Sequence, residues 1–414
     1  MRETTQQTPQ SKTSTRTWKS PRSIILALVP LLLLAGVMAI ILATDGGVGD
    51  RNAPPIETLS VQQIRLPEPG MMEIDIVNDG PDDISIAQVA VDDAYWQFAI
   101  DPQRPLQRLE TATISIPYPW VQDEAHAVSI LSSTGVVFEA EVAVAIESPS
   151  RTWDDILRFG LVGLYVGIVP VALGLLWYPF MLRLGRQGMN FILALTIGLL
   201  LFLIVDMWDE AHVVALAAPA SLNATVLIPV LAVLAGALLV VAGHALQGRA
   251  DARASDEGTR ARGLTLAYQI AIGIGLHNLG EGLAIGSAFA IGEAALGVFL
   301  IAGFTLHNVT EGIGIAAPLV EQRPSLLHFF TLAAIAGGPA IIGTWIGAFT
   351  FSPFWTTVFL AIGIGAIAQV VWAVGKMILS SQRRHGEPGL TWVTLSGLAA
   401  GFAVMYVTAL LVTA

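Results

Sequence analysis

From residue 153 to its end, the chain is divided into eight apolar segments separated by short polar loops. Each segment is long enough for a helix that crosses the hydrocarbon core of a bilayer, which takes about 20 residues. The segments span about 156–181, 190–209, 224–246, 263–291, 294–319, 326–350, 354–379 and 391–413. Of all residues, 54% are hydrophobic, and the mean hydropathy is +0.66, which is too apolar for a soluble globular protein. The pattern predicts an α-helical polytopic membrane protein.

A ninth apolar stretch, residues 23–43, lies near the N-terminus and carries no charge. Its length of about 21 residues fits a membrane anchor better than the shorter apolar region of a signal peptide, although cleavage remains the alternative. Its flanking charges are Arg16, Lys19 and Arg22 before it and Asp45 and Asp50 after it. The positive-inside rule therefore places the N-terminus in the cytoplasm. Residues 1–22 lack apolar periodicity and are predicted to be a disordered cytoplasmic tail.

Residues 44–150 lose this membrane character and show alternating apolar and polar side chains, as in residues 72–77, 113–116 and 136–142. Such alternation, interrupted by turn residues, is typical of β-strands. The segment is predicted to be a small all-β sandwich outside the cytoplasm, of immunoglobulin-like or cupredoxin-like shape. A blue-copper site is excluded because the chain has no cysteine and this segment has a single histidine, His126, which we interpret as a structural residue.

The charge of the chain is concentrated in this predicted β domain. Between Asp45 and Ser150 there are 18 acidic and 4 basic residues, out of a net charge of −11 for the whole chain. Nucleic acid is therefore not an expected partner, because phosphate recognition needs basic surface. The acidic surface either concentrates cations near a pore mouth or is an ordinary solvated face.

Nearly all basic residues in the loops of the core fall on one side of the predicted membrane. They are Arg183, Arg186, Arg249, Arg253, Arg260, Arg262, Arg323, Arg383 and Arg384. All lie after the first, third, fifth or seventh apolar segment. This distribution supports eight core helices in residues 151–414, with the C-terminus outside the cytoplasm.

Two apolar segments contain the same polar pattern, His-Asn-x-x-Glu-Gly, at residues 277–282 and 307–312. On a helix, residues four apart share a face, so His277 lies beside Glu281 and His307 beside Glu311. The amides of Asn278 and Asn308 lie about 100° round the axis.

These ionisable residues predict a metal site within the membrane. Intramembrane carboxylates are costly and usually have partners, yet neither segment contains Lys or Arg. A divalent cation would compensate both charges, and a ligand set of nitrogen and oxygen suits zinc, iron(II), manganese or cadmium rather than calcium. The alternative is a pair of packing histidines hydrogen-bonded to the glutamates.

With these motifs on the fourth and fifth core segments, residues 153–414 resemble the ZIP (Zrt/Irt-like) family of divalent metal transporters. The resemblance implies a 3+2+3 arrangement of eight helices and a binuclear metal centre midway across the membrane. The residues that match the primary site are His277, Glu281, His307 and Glu311, and those that match the second site are Asn278 and Asn308, with the two glutamates bridging.

The sequence also departs from the family pattern. Members usually have proline between the Asn and Glu, where this chain has Leu279-Gly280 and Val309-Thr310. The sixth helix often carries Glu before Pro, where this chain has Gly337-Gly338-Pro339, so the second site lacks one charged ligand. Asp206 falls in a stretch that resembles a metal-contacting part of the second helix. Asp206, His212 and His244 are either points on a metal route or charges at the headgroup level.

The predicted function is transport of divalent transition metal ions, zinc first, into the cytoplasm across the plasma membrane, without enzymatic activity or an organic cofactor. A metal sensor or metal-recruiting protein that does not transport is the alternative. A membrane metallohydrolase is disfavoured because the His-Glu-x-x-His arrangement is missing. Uptake should weaken at low pH, since His and Glu must be deprotonated to bind metal. The expected partners are the metal ions and the lipid bilayer, with a homodimer left open and no partner indicated for the β domain.

Overall fold

The computed structural model describes residues 21–44, 55–252, 258–320 and 324–413. The chain forms two compact units, residues 1–55 and 56–414. The first unit contains helix α1, Pro21–Ala43, whose side chains from residue 28 to residue 41 are exposed. The predicted anchor is therefore helical. The predicted tail, residues 1–22, lies outside the described residues except for its last two.

The second unit begins with eight strands. They are β1 (Leu59–Glu68), β2 (Met71–Asn78), β3 (Ile86–Val91), β4 (Ala94–Trp96), β5 (Ala99–Asp101), β6 (Thr111–Ile116), β7 (His126–Ser132) and β8 (Val137–Val142). They pair as two antiparallel four-stranded sheets, β1-β2-β6-β5 and β4-β3-β7-β8. Ile74 and Ile114 of one sheet and Val89 and Ile130 of the other are fully buried in a shared core. The predicted small all-β sandwich is confirmed.

The helical core follows the β domain. Its elements are α2 (Trp153–Gly163), a π-helical turn (Leu164–Ile168), α3 (Val169–Leu175), α4 (Tyr178–Met181), α5 (Arg186–Ala217), α6 (Ala224–Ala252), α7 (Gly258–Ala290), α8 (Ala294–Ala316), α9 (Leu326–Phe349), α10 (Pro353–Arg384) and α11 (Trp392–Thr413). The elements from α2 to α4 together form the first apolar segment, so each of the eight predicted segments corresponds to helix.

Within the described residues, six helical segments are long and apolar enough to cross a membrane. They are Trp153–Met181, Arg186–Ala217, Ala220–Ala245, Ala294–Leu319, Leu326–Phe349 and Pro353–Arg384. Helix α7 is long enough, but it is less apolar than these six segments because it carries His277, Asn278 and Glu281. In α11, a shorter apolar stretch spans Trp392–Val407. The chain is a multi-pass membrane protein.

One group of helices holds the paired His-Asn-x-x-Glu-Gly motifs and consists of α2–α4, α7, α8 and α9. Its helices touch backbone to backbone. A Cβ atom on Gly282 of α7 would lie 2.2 Å from Ala340 O of α9, and one on Gly174 of α3 would lie 2.0 Å from Val309 O of α8. Only glycine allows such close approach. We call this set the site bundle.

The remaining helices, α5, α6, α10 and α11, pack on one another in the same way. A Cβ atom on Gly401 of α11 would lie 2.1 Å from Leu195 O of α5, and one on Gly365 of α10 would lie 2.2 Å from Ala232 O of α6. We call this set the support bundle.

The boundary between the two bundles is of a different kind. A Cβ on Gly280 of α7 would first meet the methyl group of Met207 in α5, at 3.4 Å, and one on Gly314 of α8 would first meet the Thr196 side chain of α5, at 3.1 Å. Side chains thus make the first contacts between the bundles at these points. At Gly273 of α7 the bundles come closer, because a Cβ there would lie 2.7 Å from the Val370 side chain and 3.3 Å from Ala366 O of α10.

Candidate metal centre

The paired motifs lie on α7 and α8, which pack against each other inside the site bundle. Both helices run through the motifs without interruption. All six predicted site residues are buried, with side chains at most 2% exposed: His277, Asn278, Glu281, His307, Asn308 and Glu311. The two faces that the sequence predicted therefore converge.

Glu281 lies between the two imidazoles. Its Oε1 is 2.5 Å from His307 Nε2 and 2.9 Å from His277 Nε2. The rings of His277 and His307 are tilted relative to each other, with centroids 6.1 Å apart and planes inclined by 32°. One carboxylate of α7 thus joins histidines from both helices.

Glu311 has the opposite character. It approaches His277, with Oε1 3.7 Å from Nε2, but neither of its carboxylate oxygens has a hydrogen-bond partner in the structure. A buried carboxylate without donors is costly, and a cation in contact with it removes that cost. The arrangement favours a positive ligand next to Glu311.

His277, His307 and Glu311 offer ligand atoms that all lie within 4.8 Å of one another. Two ligand atoms of a tetrahedral zinc site lie about 3.3 Å apart, so a small inward movement would complete the geometry. Glu281 lies outside this triad, and its oxygens contact His277, His307 and Asn308. The protein ligands present are nitrogen and oxygen, which suit zinc and similar transition metals.

The two asparagines are held by their amide nitrogens. Asn278 Nδ2 donates to Ala336 O of α9 at 2.9 Å, and Asn308 Nδ2 donates to Val166 O at 2.9 Å and to Glu281 Oε2 at 3.0 Å. The amide oxygens of both residues are buried and unpartnered. Each side chain is therefore anchored on one side and presents an oxygen atom that can bind a cation.

One contact of this site was missed from the sequence. Met207 of α5 is buried, and its sulfur lies 3.1 Å from His277 Nδ1. A methionine in an apolar helix is normally a core residue, so its sequence carried no signal. It brings the support bundle into contact with the site.

The π-helical turn was also not predicted. It spans Leu164–Ile168, and the Val166 carbonyl within it accepts the hydrogen bond from Asn308. Such turns occur often at functional sites.

Other residues considered from the sequence lie outside the cluster. Asp206 and His212 are exposed on α5, but Asp206 is close enough to His277, Glu281 and His307 to interact with them electrostatically. His244 of α6 contacts Lys376, 3.4 Å away. At Gly338, which stands directly before Pro339, no atom lies within 4 Å of the Cβ position, so the packing there does not exclude the glutamate of the family pattern. His126 of the β domain is buried and pairs with Asp92, at 2.8 Å, as a structural histidine.

No protein-family model matches the chain. A zinc transporter, ZIPB, of Bordetella bronchiseptica is 26% identical over 153 residues, which are 37% of this chain and 48% of that protein. A zinc transporter, ZupT, of Chlorobium chlorochromatii is 26% identical over 144 residues, which are 34% of this chain and 52% of that protein. The predicted resemblance to the ZIP family is confirmed. The chain spans about half the length of the two relatives that it matches.

Proposed function

We propose that the protein carries divalent transition metal ions, zinc foremost and also iron, manganese or cadmium, across the membrane into the cytoplasm. The site is formed by His277, Glu281, His307 and Glu311, with Asn278 and Asn308 as ligands of a second, weaker position. The observation that carries the proposal is the unpartnered Glu311 carboxylate beside two buried imidazoles. The zinc transporters to which the chain is similar support the same function.

The position of the site suits transport. His277 and His307 lie near the middle of α7 and α8, and Met207 connects the site to the support bundle. A site at mid-depth between two helix bundles fits alternating access, in which one bundle moves against the other. At Gly280 and Gly314, side chains rather than backbone atoms make the nearest contacts between the bundles, which supports movement between them.

The proposed orientation of the chain in the plasma membrane rests on the charge distribution. The loops rich in arginine face the cytoplasm by the positive-inside rule, which leaves the β domain and the C-terminus outside. We therefore assign the protein to the plasma membrane, with residues 1–22 cytoplasmic, residues 23–43 as the anchor, residues 44–150 as the external β domain and residues 151–414 as the transporter core.

The test is zinc uptake by liposomes that contain the purified protein. Glu311→Gln removes the charge that we assign to the metal and should abolish uptake. Glu293→Gln, the same chemical change in the turn between α7 and α8, is the matched control and should leave uptake unchanged. Uptake at the parental rate in Glu311→Gln would exclude the proposed site. Zinc binding by the parent protein without flux would instead favour a metal sensor or metal-recruiting protein.

A further inference from the structure

The β domain is joined to the site bundle through its edge strand. Gln63 of β1 donates a hydrogen bond from Nε2 to Ala290 O, the last residue of α7, at 2.9 Å. Next to it, a Cβ on Gly292 would lie 2.9 Å from Val144 O of the β domain, so the two backbones almost touch. The end of α7 that leads to α8 is therefore in direct contact with the β domain.

The same domain is joined to the support bundle through Asp79, which follows β2. Its carboxylate accepts hydrogen bonds from Ala220 N at 2.6 Å and from Ser221 N at 3.0 Å, and the Ser221 hydroxyl also donates to it. These residues connect α5 to α6. Hydrogen bonds to a charged acceptor are stronger than neutral ones, so this is a firm attachment.

A β-bulge adds a further contact with the support bundle. Val61 pairs with Ile76 and Gln63 pairs with Asp75, so Gln62 is an extra residue in β1. Bulges redirect side chains. Gln62 Nε2 lies 3.5 Å from Ala217 O at the end of α5, while its neighbour Gln63 contacts α7. Adjacent residues of one strand thus contact helices of different bundles.

From these contacts we infer that the β domain is a tether between the two bundles, in which Gln63 and Asp79 are the positioning residues. While both attachments are made, they fix the spacing of the bundles at the end that faces the β domain. When the bundles move relative to each other, one attachment must open. The role of this movement in metal transport rests on the proposed function, but the tether itself does not.

The test measures the spacing directly. The chain has no cysteine, so Val213→Cys in α5 and Val298→Cys in α8 provide the only two thiols for spin labels. Both positions are 61% exposed, and they lie on different bundles. Pulsed electron spin resonance of the full chain in lipid nanodiscs then gives the distance distribution between the bundles. In the parent background we expect a narrow distribution.

Asp79→Ala should broaden this distribution or add a second distance, because loss of the charged attachment raises the undocked population by roughly tenfold or more. Asp83→Ala is the matched control. It removes a carboxylate from the same loop, and the Asp83 side chain makes no hydrogen bond in the described structure. Gln63→Ala weakens the attachment to the site bundle, and Ser221→Ala weakens the attachment to the support bundle. Both variants leave the turn after β2 intact, so they test the tether even when Asp79→Ala impairs folding.

Identical distributions in the parent, Asp79→Ala, Gln63→Ala and Ser221→Ala proteins would overturn the tether. An equally broad distance distribution in Asp83→Ala would also overturn the tether, because the broadening would then come from loss of charge in the loop and not from loss of the Asp79 contact. Broadening in the three contact variants supports the tether even if the parent protein transports no zinc, a result that would exclude the proposed function alone.

Discussion

His307 Nε2 of α8 lies 2.5 Å from Glu281 Oε1 of α7, so the two motif-bearing helices are joined by a buried imidazole–carboxylate contact. Glu281 also accepts a hydrogen bond from Asn308. Glu311, the equivalent residue in the second motif, accepts a hydrogen bond from neither His307 nor Asn308. The sequence repeat is therefore asymmetric in structure. Glu281 joins the two helices, and Glu311 is the carboxylate that we propose to contact the cation.

This asymmetry predicts opposite effects of the same substitution on the metal-free protein. Glu281→Gln should lower its stability by about 1–3 kcal/mol, because the His307 and Asn308 contacts lose a charged acceptor. Glu311→Gln should raise it, because an uncompensated buried charge is removed. Thermal unfolding in the presence of a chelator measures both. In excess zinc, the parent should gain stability and Glu311→Gln should not. Equal destabilisation by the two substitutions would contradict the assigned roles.

Met207→Leu tests the contact between the support bundle and the site. Leucine fills a similar volume but has no sulfur near His277 Nδ1, so the imidazole loses a partner that orients it. We expect zinc affinity to fall about tenfold, as for other residues that contact a metal ligand. Titration of zinc into purified protein gives this value. Met181 of α4 is also a buried methionine, and Met181→Leu should leave the metal affinity unchanged.

Glycine substitutions test the packing within the bundles. Gly401→Ala should destabilise the protein by about 1–3 kcal/mol, because the new methyl group would overlap Leu195 O. Gly303→Ala in α8 is the control, since no atom lies within 4 Å of its Cβ position. That change should stabilise the helix by roughly 0.5–1 kcal/mol. Unfolding of the two variants in the same detergent gives the comparison, and the same sign for both would contradict the packing.

The β domain should respond to acid through Asp92. Hydrogen bonds from Tyr118 and from His126 lower the pKa of this carboxyl below its usual value. A group with a lowered pKa stabilises the folded state above its unfolded pKa, about 3.9, and loses that contribution as pH falls through the lower folded value. Asp92→Asn should therefore weaken protection of the β3 and β7 amides at pH 7, and its difference from the parent should shrink below pH 4. Hydrogen exchange, compared between the two proteins at each pH, measures this.

The helices and the spacing of the site residues were accessible from sequence because both depend on local periodicity. Residues four apart on one helix share a face wherever the helix is placed, so the pairing of His277 with Glu281 followed directly. Hydropathy found α7 as a segment even though its polar residues lower its apolar character.

Contacts between distant segments were not accessible in this way. Met207 reaches His277 across 70 positions of sequence, and Val166 reaches Asn308 across 142. Both contacts depend on how the helices pack, and the π-helical turn that contains Val166 has no local signature. Strand β1 was missed because its polar residues, including Gln62 and Gln63, break the alternation that marks a half-buried strand.

The β-bulge at Gln62 contributes a contact with the helical core but is not needed for the folding of the β domain. Deleting this one residue would leave the pairs Val61–Ile76 and Gln63–Asp75 adjacent and in regular register, so the hairpin of β1 and β2 has no need of it. The contact with Ala217 would be lost with it. This one contact between the sandwich and the helical core can therefore be gained or removed by a single insertion, while the attachments through Gln63 and Asp79 do not depend on it.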